Sequence, residues 1–132
     1  INENYPVARL PELWNDKMEE YLGIRPATDT EGVLQDVHWS FGAFGYFPTY
    51  TLGNLYSVQF FNQVKKEIPG LSESFARGDF SGLLSWLRKN IHSKGRGRKA
   101  EELVQELTGQ PLSAGPFMDY LEEKYTQVYS LS

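Results

Sequence analysis

The chain has 132 residues, enough for one domain with a modest core, and its 40% hydrophobic and 23% charged residues exclude a disordered chain. A net charge of −4 argues against a dedicated nucleic-acid binder, whose affinity rests on basic groups neutralising phosphates. The absence of cysteine excludes disulfides and thiolate metal sites, and no apolar run reaches the ~20 residues that span a bilayer, so no membrane partner is expected.

The chain starts at Ile1, without an initiator Met, which reads as a processed or truncated product. No secretory signal is visible, and the lack of cysteine fits a reducing, cytoplasmic setting. The first predicted helix runs over residues 10–22. Leu10, Leu13, Trp14, Tyr21 and Leu22 recur at helical spacing, and Gly23 and Pro26 stop it. Residues 26–48 mix glycine, proline and aromatics in no helical period, which predicts irregular backbone with a short strand or hairpin around 33–39. A long helix is predicted over 48–67, opened by Pro48 and closed by Pro69 and Gly70. A turn or short helix at 71–75 follows, then helices over 80–92, with Asp79 as N-cap, 99–108 and 116–129. The fold class is therefore mainly α, in a single domain over 1–132.

The most unusual stretch is Gly32-Val33-Leu34-Gln35-Asp36-Val37-His38-Trp39. An extended backbone puts Asp36 and His38 on one face, because side chains alternate along a strand. A carboxylate beside an imidazole fixes its tautomer and favours its protonated form. Such a ring can donate to a developing oxyanion. The alternative is that both side chains satisfy loop backbone.

Gly32 to Trp39 matches G-x-x-Q-D-x-H-W, the signature of the thermostable (Taq-type) zinc metallocarboxypeptidases, and the chain resembles that family throughout. Phe44 to Gly53 is similar to the family's F-G-Y-F-P-T-Y-x-L-G run. Leu10 to Asn15, Tyr21 to Gly23, Trp86 to Arg88, Ile91-His92, Thr108-Gly109 and Tyr120 to Tyr125 add further blocks in the family's order. The resemblance implies a predominantly helical fold with a deep groove, a homodimer, and removal of residues from peptide C-termini with broad specificity. It implies zinc, or another divalent metal, held by H-E-x-x-H and a downstream Glu, with the Glu of the motif as general base.

That metal motif is missing. His38 and His92 are the only histidines, and they are not four residues apart. The chain therefore reads as the C-terminal segment of the catalytic domain, inactive alone, with no metal ligand of its own. The remainder of the same enzyme and peptide substrates are its expected partners. The alternative is a noncatalytic helical module for dimerisation or protein interaction.

Related helical peptidases of the angiotensin-converting type carry an L-Y-x-x-Q-F block that aligns with Leu55 to Phe60. The alignment brings their catalytic Tyr onto Tyr50 and their His near His38, across a two-residue gap. The resemblance thus implies His38 and Tyr50 as transition-state donors. Tyr46 is the substitute, one helical turn earlier if the helix begins sooner. For either Tyr the alternative is core packing with a satisfied hydroxyl. Gln35 and Asp36 are assigned to the substrate backbone or to supporting contacts, and Trp39 to a wall of the cleft. The basic run 88–99 reads as a solvated helix end, with Arg96 or Arg98 as a candidate for the substrate's terminal carboxylate.

Overall fold

The computed structural model describes residues 4–131, so Ile1 lies outside them. The described residues are mainly helical, with no strand among them, and the chain divides after Pro48 into two compact units.

In the first unit a 3-10 turn at Val7–Arg9 leads into α1, Leu10–Leu22. Gly23 ends α1 at φ +68°, a left-handed conformation that glycine adopts without a Cβ clash, and its N–H caps the Glu19 carbonyl. Arg25 then reaches back along α1 to Asp16 at 2.9 Å and Glu19 at 2.8 Å. These pairs are exposed, so they orient the exit of the chain more than they stabilise it.

Residues 24–47 are irregular, as their composition predicts, but the short strand does not form. Two 3-10 turns, Val33–Gln35 and Val37–Phe41, occupy its place. The reason lies in local hydrogen bonds. The N–H groups of Gly32 and Leu34 both donate to the Asp29 carbonyl, that of Gln35 to Gly32, and that of Trp39 to Asp36. Backbone groups satisfied over three to five residues have none left for a ladder. Val33 is buried, and Gly32 packs so closely on Asn15 and Thr28 that a Cβ would have no room.

The second unit begins at the second residue of α2, Pro48–Glu67, and contains the rest of it with α3, Leu71–Ala76; α4, Ser81–Asn90; α5, Ala100–Thr108; and α6, Gly115–Tyr129. Each stands where the apolar period places it, with ends that differ by a residue or two. Phe80, not Asp79, is the N-cap residue of α4, but Asp79 just before it accepts from the Ser81 N–H at 2.9 Å, and hydrogen bonding to the Ser81 side chain and then its backbone holds the Asp79 carboxyl below the usual range. Glu102 accepts from the Lys99 N–H at 3.2 Å and closes the start of α5.

The core of this unit is built on Val64 of α2, Leu71 of α3 and Trp86 of α4, flanked by Ile68, Phe75, Leu83 and Leu107. Val104 of α5 is fully buried. Gln59 is buried too, and its amide is engaged at both its nitrogen and its oxygen. Its Nε2 donates to the Pro111 carbonyl at 2.9 Å, and its Oε1 accepts from the Ser113 N–H at 3.1 Å. The connection between α5 and α6 is thereby fastened to α2.

Candidate functional site

The Asp36–His38 pair is the centre of the first unit's irregular segment. Asp36 stands at the start of the second 3-10 turn, and one of its oxygens accepts from the His38 backbone N–H at 3.0 Å. The same oxygen lies 2.7 Å from His38 Nδ1. A single carboxylate oxygen therefore fixes both the backbone and the ring of His38. The sequence paired these residues by strand alternation. The structure pairs them by an Asx-type turn, in which a short side chain reaches the N–H two residues ahead.

Both groups are withdrawn from water. The Asp36 side chain is 8% exposed and that of His38 13%. Aromatic rings surround the imidazole: Tyr46 at 5.0 Å between centroids, Phe47 at 5.6 Å and Phe41 at 5.7 Å. This environment strengthens the hydrogen bond by lowering the local dielectric.

Trp39 points into a different set of contacts. Its ring meets Trp14 of α1 edge-on at 6.2 Å and stacks on Phe44 at 5.5 Å. With Leu10, Leu13, Met18 and Leu22 these tryptophans line an apolar cleft of about 410 Å³. Gln35 donates its side-chain amide to the Thr30 carbonyl, so that its amide braces the loop. Tyr46 sits before α2, in a turn closed by its N–H to the Ala43 carbonyl, and not on the helix. Tyr50 occupies the first turn of α2, in the second unit, and its side chain is exposed.

Arg98 pairs with Glu106 of α5 at 3.4 Å, and both are exposed. Arg96 lies in the same exposed turn between α4 and α5. Sequence reasoning missed three parts of this arrangement: Trp14 as the partner of Trp39, Phe44 as its stacking surface, and Phe41 and Phe47 as walls around His38. The signal was the density of aromatics between Trp39 and Phe47, which no helical or strand period explains.

Among the described residues no group of three or more His, Cys, Asp or Glu is placed to hold a metal ion. The described residues therefore do not by themselves fit a metal centre. No helix among them is long and apolar enough to cross a membrane.

The family model described as "Carboxypeptidase Taq (M32) metallopeptidase" matches residues 1–125. The chain is 49% identical over 120 residues to a thermostable carboxypeptidase 1 of Thermus thermophilus, covering 91% of this chain and 24% of that protein. It is 43% identical over 125 residues to the thermostable carboxypeptidase 1 of Pyrococcus furiosus, covering 95% and 25%. The crystal structure of a carboxypeptidase from Deinococcus radiodurans superposes with a TM-score of 0.92 at 43% identity, over 98% of this chain and 26% of that one. The chain thus spans about a quarter of the length of the relatives it matches. With nearly every residue inside the match, and with the helices where those relatives have theirs, this chain belongs to the Taq carboxypeptidase family of metallopeptidases.

Proposed function

We propose that this chain is one part of a metal-dependent carboxypeptidase that releases C-terminal residues from peptides with broad specificity. The observation that supports this most is the Asp36–His38 pair, an oriented imidazole inside the block that resembles the family's signature. In this reading His38 and Tyr50 donate to the oxyanion that develops on the scissile carbonyl, with Tyr46 as the substitute for Tyr50. Gln35, Asp36 and Trp39 shape the substrate side of the cleft, and Arg96 or Arg98 takes the substrate's terminal carboxylate.

The divalent metal, zinc by the family resemblance, belongs to residues outside this chain. Both units then form part of one catalytic domain, the enzyme is a cytoplasmic homodimer, and this chain is inactive by itself. Metal analysis and peptide hydrolysis test the reading. A longer protein that includes this chain should bind metal stoichiometrically and trim peptides from the C-terminus, and the chain alone should do neither. Stoichiometric, tight zinc in the chain alone contradicts it.

One observation favours the second reading, a noncatalytic helical interaction module. Tyr21, Leu22, Phe41 and Phe44 are each more than 60% exposed, a large apolar exposure for one unit of fewer than fifty residues. A longer protein that forms dimers through this segment and has no peptidase activity would establish that reading.

A further inference from the structure

We infer that the groove between α2 and α6 is the seat of an amphipathic helix from the part of the longer polypeptide that lies outside this chain. The inference rests on the reading of this chain as one part of a larger enzyme.

The residues of α2 point there first. At about 3.6 residues per turn, Leu55, Tyr56, Val58, Phe60, Phe61 and Val64 are spread around its whole circumference. A helix apolar on every side belongs in an interior. Yet the buried residues of α2 are Gln59 and Val64, and Phe61 is 38% exposed. The structure buries no residue of α6. A helix this short is marginal in water by itself and takes its stability from the packing of an apolar face. Both helices therefore call for further cover.

The groove between them suits a third helix. Val58 and Phe61 of α2 and Phe117 and Tyr120 of α6 line its apolar part. Its volume of about 890 Å³ holds roughly two turns of a helix about 10–12 Å across. Lys65 lies over the Phe61 ring at 5.7 Å and Lys124 over the Tyr120 ring at 5.5 Å, so each lysine borders an apolar surface. Asp119 and Glu123, one turn apart on α6, add two carboxylates to the same wall. The occupant is thus a helix with an apolar stripe, a Lys or Arg facing Asp119 and Glu123, and an acidic residue within reach of Lys65. The chain spans about a quarter of the relatives it matches, which leaves most of their length to supply this helix. A tethered segment meets the groove at an effective concentration on the order of millimolar, which favours it over a second copy or a free peptide.

The test uses the longer protein. Ser57→Cys replaces a groove-lining hydroxyl by a thiol of similar size, and a maleimide reports its accessibility through the mass of the labelled peptide. In the folded protein the thiol should react roughly 100-fold more slowly than in urea, because labelling waits for local opening. The protection should persist on dilution and without added peptide. Asn62→Cys, on the same wall, should behave alike. Reaction as fast as in urea at either position overturns the inference. Protection that vanishes on dilution overturns it in favour of a second copy, and protection that appears only with an N-blocked peptide overturns it in favour of substrate. Metal content and peptide hydrolysis of the same protein report separately on the reading above. A gene product no longer than this chain removes that reading and the inference with it.

Discussion

The indole N–H of Trp86 donates to one oxygen of Glu67 at 2.7 Å, and Gln63 donates to the other oxygen at 2.7 Å. Trp86 belongs to the core of the second unit, so this contact joins the end of α2 to the middle of α4. The hydrogen bonds from Gln63 and then Trp86 hold the Glu67 carboxyl below its usual range. A depressed carboxyl adds stability above its unfolded value, and that contribution fades as pH falls through the folded value. Glu67→Gln should therefore destabilise the protein at neutral pH. The difference from wild type should shrink in acid, below the usual carboxylate range. Urea unfolding at several pH values measures this. A difference independent of pH means that the ionised carboxylate is irrelevant.

Gln59 links α2 to the α5–α6 connection through Pro111 and Ser113. Gln59→Leu preserves most of the volume and removes both hydrogen bonds. The Pro111 carbonyl and Ser113 N–H then lose their partner, at a cost of about 1–3 kcal/mol. Thermal or urea unfolding should show it. A neutral Gln59→Leu variant would mean that packing alone holds the connection.

A Cβ on Gly32 would lie 2.9 Å from Asn15 Oδ1 and 3.3 Å from the Thr28 carbonyl. Gly32→Ala should cost about 1–3 kcal/mol by overpacking. Asn15→Ala removes the nearer atom, so the double variant should lose less than the sum of the single ones. A double-mutant cycle in denaturant gives the number. Strict additivity would place the strain on the Thr28 backbone instead.

Tyr50→Phe in the full-length enzyme should lower kcat by ~100- to 1,000-fold with a small change in KM, because a donor used only in the transition state is lost. Tyr46→Phe, whose ring remains packed on His38, should cost far less. Unchanged turnover in Tyr50→Phe takes Tyr50 out of the mechanism, and a larger loss in Tyr46→Phe transfers its role to Tyr46.

The order of the helices was legible in the chain because their signals are local. Apolar residues at three- and four-residue steps, Pro48 at a helix start, Asp79 just before α4 and glycines at helix ends act within one or two turns. α1, Leu10–Leu22, and α2, Pro48–Glu67, stand on the residues so predicted.

Other features depend on partners that no local signal names. The backbone of 33–39 reads equally well as a strand until hydrogen bonds back to Asp29 and Gly32 decide for 3-10 turns. The apolar stripe of α2 does not show that Gln59 is buried to serve Pro111 and Ser113, more than fifty residues away. Nor does composition show that Trp39 leaves His38 for Trp14 and Phe44. Periodicity and capping are carried by near neighbours and are written in the sequence. The pairing of buried polar and aromatic groups is chosen by distant chain, and it exists only once the segments have packed.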